Sequence, residues 1–215
     1  MRRPATSCCR IRATAGALVA LMALGLVAAA AAGASRPKPA APTASSRART
    51  AATRAPVSPD SATVLALLEG MRNASCPLPG VATGGQPDSA QLAALARAGF
   101  RTVVDLRTPE EPRGFDEPVA ARARGLAYRP LPIGHDGVVP DSTFDAFRAF
   151  MADTAAGPVL VHCASGNRVG PVMIAWLVLD RHWSLERAVD AAKRGGLRTE
   201  GLETAARDYI GRHRR

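Results

Sequence analysis

The chain has 215 residues, of which 47% are hydrophobic and 4% aromatic, and this is enough apolar material to exclude a fully disordered protein. Its formal charge is +10, but residues 1–60 carry +8 of it (nine Lys or Arg against one acid), which leaves the other 155 residues with 19 bases, 17 acids and a net charge of +2. A folded part so close to neutral offers no extended basic face, so we expect no nucleic-acid partner.

The first 34 residues have the pattern of an export signal. Four arginines precede an uncharged apolar run from Ala15 to Ala32, and Ala32-Gly33-Ala34 places small residues where a signal peptidase reads them. This pattern predicts cleavage after Ala34 and a periplasmic or extracellular protein with no stable membrane insertion. The alternative is an uncleaved membrane anchor, because a run of 18 apolar residues is near the lower limit for spanning a bilayer.

Residues 35–60 consist mainly of Ala, Pro, Ser, Thr and Arg, with almost no large apolar side chain. Such a segment cannot bury enough surface to offset the entropy lost on ordering, so it is predicted to be a disordered linker. The organised part begins at Ser61, and residues 61–215 are predicted to form one catalytic domain.

The organised part is predicted to start with a short helix at Ser61, followed by an irregular stretch rich in Pro and Gly. Asp88 and Gln91 have the spacing of a capping box, so a helix is predicted from there to Gly99. The further predicted elements are strands over 102–106, 126–131 and 158–161, and helices over 118–124, 144–151, 171–179, 184–195 and 200–212. Strands that alternate with helices predict an α/β fold of three layers, with a mostly parallel central sheet flanked by helices.

The chemistry is predicted where the third of these strands meets the apolar helix, at His162-Cys163-Ala164-Ser165-Gly166-Asn167-Arg168. Here a strand ends on a Cys, a tight loop with a Gly follows, and a helix then starts. This order would aim backbone N–H groups and the positive end of a helix dipole at one point. This field favours the thiolate form of Cys163. Arg168 can hold two oxygens of a tetrahedral oxyanion. A nucleophile beside an oxyanion cradle is what covalent phosphoryl transfer requires.

This loop resembles the signature of cysteine-dependent tyrosine and dual-specificity phosphatases. Over roughly residues 75–210 the chain is similar to the phosphatase-like domain of beta-lactamase-hydrolase-like bacterial proteins. The residues that carry the similarity are Gly84-Gly85-Gln86-Pro87, the helix from Gln91 to Ala98, the segment from Gly99 to Arg107, and the segment from His162 to Gly170.

The resemblance implies a phosphatase that hydrolyses a phosphomonoester, either phosphotyrosine or a small phosphoester, through a phosphocysteine on Cys163. Arg168 is the second catalytic residue that it implies. The substrate-binding residues are then those around the nucleophile: His162, Ala164, Ser165, Gly166 and Asn167. For His162 the alternative is hydrogen bonding that orients the loop carbonyls. We expect no cofactor, a phosphorylated protein or small molecule as the partner, and a monomer.

Two departures from the phosphatase pattern leave other functions open. Four residues separate Cys163 from Arg168, one fewer than in the phosphatase signature, and a loop of this length resembles that of rhodanese-type sulfurtransferases. The Ser or Thr that usually follows the Arg is replaced by Val169. The alternatives are a sulfurtransferase that uses a Cys163 persulfide, and a catalytically weak module that binds a phosphorylated ligand.

A phosphatase also needs an acid that protonates the leaving oxygen, and the resembling enzymes use an Asp about thirty residues before the Cys. Asp136, which is 27 residues before Cys163, is the first candidate. Asp141 is the second, although its position equally fits a helix cap. For Asp136 the alternative is a turn residue before Gly137. His135 is predicted either to bind substrate or simply to be exposed.

Cys76 and Cys163 are the cysteines that remain after the predicted cleavage. Outside the cytoplasm two thiols can pair, so a reversible Cys76–Cys163 disulfide is predicted, with two separate thiols as the alternative. Four histidines without clustered Cys or carboxylates predict no metal site.

Overall fold

The computed structural model describes residues 59–153 and 157–214. The predicted signal segment, residues 1–34, and all but the last two residues of the predicted linker lie outside the described residues. Within the described ranges, no helix combines the length and the apolar character that crossing a bilayer requires.

The described residues contain twelve helices and strands. In chain order they are α1 (Ser61–Leu67), β1 (Ser75–Leu78), β2 (Val81–Gly84), α2 (Ser89–Arg97), β3 (Thr102–Asp105), α3 (Glu117–Arg122), β4 (Ala127–Pro130), α4 (Asp141–Ala152), β5 (Val159–His162), α5 (Val169–Leu179), α6 (Leu185–Arg194) and α7 (Glu200–His213). The predicted α/β fold is confirmed. Asp88 and Gln91 form the predicted capping box at α2, with each backbone N–H donating to the other residue's side chain at 2.9 and 2.7 Å.

Strands β1 and β2 occupy the stretch that was predicted to be irregular. They pair as an antiparallel hairpin across Pro79 and Gly80, and the φ of Gly80 is 77°. Each of the two strands has only four residues, which is too short for an alternation of apolar and polar side chains to be recognised in the sequence. Pro77 lies within β1, and β1 is at the edge of the sheet, where a residue without an N–H is tolerated.

The five strands form one sheet in the order β1-β2-β5-β3-β4, in which every pair except β1 with β2 is parallel. Strand β5 is central, between β2 and β3. Its last residue, His162, is in register with Gly84 of β2 and with Asp105 of β3. The three carboxyl ends therefore meet at one point of the sheet edge, which is where α/β sheets bind ligands.

Helices cover both faces of the sheet, and the sheet divides the buried side chains of the core into two clusters. Leu160 packs with residues of α1, α2 and α3 on one face. Val161, the next residue of β5, packs with residues of α4, α5, α6 and α7 on the other, as the alternation of side chains in a strand requires. Helix α5 is buried from Val169 to Val178 and packs against α4, α6 and α7, and it contains the helix predicted over residues 171–179.

We expect Leu160→Ala to lower the free energy of unfolding by about 2–5 kcal/mol, because Leu160 is fully buried and the alanine leaves a cavity that the sheet cannot close. The matched control is Leu65→Ala on α1, since 39% of Leu65 is exposed, and there the change should be small. Urea unfolding of both variants measures the difference, and equal losses would contradict the packing described here.

Candidate active site

Cys163 lies directly after β5, at the start of a loop that ends where Arg168 caps helix α5. It is only 1% exposed. The backbone N–H of Gly166 donates a hydrogen bond to its Sγ at 3.1 Å. This N–H and the N-terminus of α5 both place positive potential at the sulfur.

The loop is closed by backbone contacts that only glycine permits. Gly166 has a φ of 84°, and a Cβ on it would lie 2.2 Å from the carbonyl oxygen of Gly195. On the other side of the loop, Nδ2 of Asn73 donates to the carbonyl oxygen of Ser165 at 2.8 Å. The loop is thus held between the end of α6 and the segment that precedes β1.

Asn167 ties the loop to the start of α7. Its Oδ1 accepts hydrogen bonds from the N–H groups of Arg198 and Thr199 at 2.8 and 3.2 Å, and its Nδ2 donates to Oγ1 of Thr199 at 2.8 Å. The side chain that was predicted to bind substrate is therefore engaged with this connection, and its backbone N–H is the group left for an anion.

Arg168 is nearly buried and makes a bidentate pair with Glu111. Its Nη1 and Nη2 donate to the two carboxylate oxygens at 2.6 and 2.7 Å, and Nη1 also donates to the carbonyl oxygen of Ile133 at 2.9 Å. A guanidinium has five N–H donors, so Nε–H and the second N–H of Nη2 remain, and both lie on the same edge. That edge can hold two oxygens of an oxyanion.

The groups around Arg168 stabilise its charge although the side chain is buried. Burial opposes the charge, but the hydrogen bonds to Glu111 and the nearby Cys163 raise the pKa of Arg168 above its usual value. A cation that is desolvated and fixed by a carboxylate interacts more strongly with a bound anion than it would in water.

Glu111 is a site residue that the sequence analysis missed. Besides Arg168, it accepts hydrogen bonds from Nε of Arg107 at 3.1 Å and from the N–H of Thr108 at 2.9 Å, and it lies 3.3 Å from Nε2 of His135. The hydrogen bonds from Arg168 lower the pKa of Glu111 well below its usual value, although burial opposes the shift. It is 57 residues from Arg168 in sequence, and no local pattern signals a contact over such a distance.

His162 is fully buried behind the loop. Its Nδ1 lies 3.4 Å from the carbonyl oxygen of Cys163, and its Nε2 lies 2.9 Å from Oε1 of Glu117 and 3.9 Å from Oδ1 of Asp105. Among the described residues, neither Nε2 of His162 nor Oε1 of Glu117 makes a regular hydrogen bond elsewhere. This is the position of a residue that orients the loop, not of one that contacts a substrate.

Asp105, Glu117 and His162 bring ligand-type atoms within 4.8 Å of one another, all of them buried. However, the guanidinium of Arg113 already donates to Oδ2 of Asp105 at 2.9 and 2.7 Å and lies 3.8 Å from Glu117. The hydroxyl of Tyr128 donates to the same oxygen of Asp105 at 2.5 Å. Since a protein cation supplies the positive charge here, the cluster is a buried ion network that supports the loop from below.

A pocket of about 150 Å³ opens above the loop. The residues that line it are Gly134, His135, Gly137, Ala164, Ser165, Asn167, Arg168, Thr199 and Leu202. Ala164, Ser165 and Asn167, all predicted to bind substrate, line this pocket; Gly166 is buried in the loop beneath it.

Neither predicted acid points a carboxylate into this pocket. Asp136 is exposed, and its Oδ1 accepts the N–H of Val138 at 3.1 Å, which is the arrangement of a turn residue. Asp141 is in the first turn of α4 and pairs with Arg212 at 2.6 Å. The neighbours of Asp136, namely Gly134, His135 and Gly137, nevertheless form one wall of the pocket.

The predicted Cys76–Cys163 disulfide is absent, and both thiols are free. Cys76 packs with the cluster on the α1–α3 face of the sheet, whereas Cys163 belongs to the cluster on the α4–α7 face. Burial raises the pKa of Cys76 to about 11, so it is a poor source of thiolate for exchange. The sheet itself separates the two sulfurs, and the arrangement corresponds to the alternative of two separate thiols.

We expect Gly166→Ala to lower the free energy of unfolding by about 1–3 kcal/mol or more. The backbone conformation at this position is strained for an L-residue, and the alanine Cβ would collide with Gly195. Loss of the N–H bond to Sγ should also slow alkylation of Cys163. The matched control is Gly201→Ala, where nothing lies within 4 Å of an added Cβ. Thermal unfolding and the rate of iodoacetamide labelling measure both effects, and a G166A variant as reactive as the parent would contradict this loop geometry.

We expect Glu111→Gln to lower stability at pH 7, because its pKa is lower in the folded protein than its usual value of 4.5. A depressed carboxyl pKa contributes stability above the unfolded-state pKa, and this contribution is lost as the pH falls through the folded-state pKa. The stability difference between parent and variant should therefore be constant above about pH 5 and shrink in more acidic solution. Glu110→Gln, at an exposed neighbour, is the control; a difference that grows on acidification would refute the prediction.

Comparison with known proteins identifies the family. Residues 74–179 match the family model for the phosphatase-like domain of beta-lactamase hydrolase-like protein. The Beta-lactamase hydrolase-like protein of Xylella fastidiosa (strain Temecula1 / ATCC 700964) is 37% identical over 92 residues, which are 41% of this chain and 21% of that protein. Dual specificity protein phosphatase 9 of Homo sapiens is 32% identical over 121 residues, which are 54% of this chain and 30% of that protein. The chain thus spans less than a third of either relative.

A solved structure, that of Tk-PTP in the active form, has the same fold, with a TM-score of 0.57 and 25% sequence identity over 65% of this chain and 97% of that one. The family match, residues 74–179, contains all five strands and the Cys163–Arg168 loop. Residues 74–179 are therefore a phosphatase-like domain of the beta-lactamase hydrolase-like type, and the fold is that of the tyrosine and dual-specificity phosphatase-like proteins.

Proposed function

We propose that this chain is a cysteine-dependent phosphatase that hydrolyses a phosphomonoester through a phosphocysteine on Cys163. One observation carries the proposal: the N–H of Gly166 donates to Sγ of Cys163, while Arg168 in the same loop keeps one edge of its guanidinium available. A cysteine sulfur that accepts a backbone hydrogen bond and a bidentate oxyanion site are thereby placed side by side, and the similarity to phosphatase-like domains supports the same chemistry.

The reaction has two steps. In the first, the thiolate of Cys163 attacks phosphorus, the S–P bond forms, the ester P–O bond breaks, and the leaving oxygen takes a proton. In the second, water attacks the phosphocysteine, the S–P bond breaks, and inorganic phosphate and the thiolate are released. Val169 offers no hydroxyl to assist this release and is buried in the core, so the Gly166 N–H is the group that stabilises the departing sulfur.

The proposed substrate is a phosphorylated protein or a small phosphoester. A pocket of about 150 Å³ admits a phosphoryl group, and the ester group would extend along the wall formed by Gly134, His135 and Gly137 and by the start of α7. The basic and apolar N-terminal pattern supports the further proposal that the enzyme acts outside the cytoplasm, where we expect it to be a monomer.

Sulfur transfer through a Cys163 persulfide is the second candidate function. The observation that favours it is the spacing of four residues between Cys163 and Arg168. The two functions differ in the substrate that reacts with the same sulfur, so turnover of 4-nitrophenyl phosphate and of thiosulfate with cyanide separates them in parallel assays.

We expect the parent protein to hydrolyse 4-nitrophenyl phosphate and Cys163→Ser to abolish turnover while still binding orthovanadate or phosphate. Arg168→Lys should reduce kcat/KM by about 100-fold or more, because a single ammonium cannot replace the bidentate edge. Acid quenching should trap a phosphorylated Cys163 in the parent alone.

Cys76→Ser is the matched control, since this thiol lies on the other face of the sheet, and it should retain the parent activity. Undiminished hydrolysis by Cys163→Ser, or turnover of thiosulfate without any turnover of phosphate esters, would overturn the proposed function.

A further inference from the structure

Asn73 lies beside the Cys163 loop, in the turn between α1 and β1. Its side-chain Nδ2 donates a hydrogen bond to the carbonyl oxygen of Ser165 at 2.8 Å, across 92 residues of sequence. Asn73 is not among the described residues that line the pocket above the loop. Its side chain therefore acts on the loop and not directly on a ligand.

The carbonyl that Asn73 binds and the N–H that contacts the sulfur belong to the same peptide unit. The C=O of Ser165 and the N–H of Gly166 share one plane, and in a trans peptide they point in opposite directions. Nδ2 of Asn73 holds the oxygen on one side, while the N–H donates to Sγ of Cys163 at 3.1 Å on the other. A rotation of this peptide unit would break both hydrogen bonds together.

Gly166 does not fix the orientation of this peptide unit by itself. Glycine adopts positive and negative φ with similar ease, so its own sterics do not select the observed φ of 84°. Contacts from neighbouring segments must select it. Gly196 packs against the same carbonyl, since a Cβ on Gly196 would lie 2.7 Å from the oxygen of Ser165 and 2.9 Å from Nδ2 of Asn73. The oxygen of Ser165 is thus enclosed by the amide of Asn73 and by the backbone after α6.

The backbone at position 73 suits an asparagine. Asn73 has a φ of 54°, in the left-handed region that Asn and Asp adopt more readily than most L-residues. The N–H of Gly85 donates to the carbonyl oxygen of Arg72 at 2.8 Å, which ties this turn to the segment after β2. An ionised Asp has no donor for a carbonyl, whereas the amide of Asn has two N–H groups. Asparagine therefore meets both requirements of this position.

We propose that Asn73 is a positioning residue of the phosphatase reaction, which holds the Ser165–Gly166 peptide so that its N–H points at the sulfur of Cys163. This inference rests on the proposed function, because it assigns a role within the two-step reaction. In the second step, water adds to phosphorus, the S–P bond breaks, its electron pair goes to the sulfur, and both protons of the water leave with the phosphate. The Gly166 N–H stabilises the sulfur that receives this pair. Loss of Asn73 should therefore slow the second step more than the first.

Two substitutions remove the amide and still allow the left-handed backbone. Asn73→Asp has nearly the same shape, but its carboxylate cannot donate and repels the oxygen of Ser165. Asn73→Gly adopts the same φ without strain and has no side chain. With 4-nitrophenyl phosphate, we expect either variant to lower kcat by about 10- to 100-fold, because loss of a directed donor itself costs about 100-fold or more. KM should fall together with kcat, so that kcat/KM changes much less.

Rapid mixing tests the slowed step directly. 4-Nitrophenyl phosphate has a good leaving group, so its first step is fast. We expect both variants to release a burst of 4-nitrophenol before slow turnover, and acid quenching should find a larger fraction of phosphorylated Cys163 than in the parent. A merely structural role would lower the amount of active protein and would not raise this fraction.

His182→Gly is the matched control. His182 also has a left-handed backbone, with a φ of 56°, but it is exposed on the α5–α6 connection. Its replacement by glycine should leave kcat, KM and the phosphorylated fraction unchanged. Melting temperatures separate stability from catalysis, because N73D and N73G alter folding in different ways but should share one kinetic change.

A parent-like kcat in N73D and N73G would overturn the inference and leave the phosphatase intact. A fall in kcat without accumulation of phosphocysteine would do the same, because it would reduce Asn73 to a structural role. Should N73D fail to fold, N73G alone decides between these outcomes. A folded parent protein that hydrolyses no phosphate ester would overturn the proposed function, and the inference with it.

Discussion

The bidentate pair between Arg168 and Glu111 determines how the candidate site is arranged. A guanidinium that is 7% exposed would be costly without a partner, and Glu111 supplies one at 2.6 and 2.7 Å from the segment after β3. Because the pair uses the far side of the guanidinium, the edge that remains is the one beside the Cys163 loop. A single contact thus keeps the cation folded into the protein and selects which of its donors are available to an anion.

Paired charges also support the loop from below. Three arginines are matched by three carboxylates in two sets of ion pairs: Arg107 and Arg168 with Glu111, and Arg113 with Asp105 and Glu117. Gln86 links the two sets, because it donates to Glu117 and accepts from Arg107. These charges balance one another, so the network by itself presents no excess positive charge to a phosphate. Affinity for an oxyanion must come from directed donors, namely the loop N–H groups, the start of α5 and the open edge of Arg168. The network contributes positional accuracy instead, since several hydrogen bonds fix each arginine side chain.

Much of the fold and the centre of the site could be predicted from local patterns. The apolar run of β5, the Cys163–Arg168 loop and the apolar helix α5 are contiguous, so their order alone predicts a candidate nucleophile and a candidate anion site. The β1–β2 hairpin was missed because each strand has four residues and β1 contains a proline. Glu111 was missed because its importance lies in a contact with a residue 57 positions away. The Cys76–Cys163 disulfide was predicted from the number of cysteines, which carries no information about the face of the sheet on which each sulfur lies.

The neighbouring segments hold the short loop between Cys163 and Arg168 in one conformation. Gly195 and Gly196 bring backbone against the loop so closely that a Cβ on Gly196 would lie 2.7 Å from the carbonyl oxygen of Ser165. Asn73 and Asn167 attach the loop to two further segments through side-chain amides. A loop with few residues and walls on both sides has little freedom to turn its N–H groups away from the sulfur. The donors are therefore already oriented before any anion arrives, and electrostatic stabilisation that requires no reorganisation during the reaction is the most effective kind.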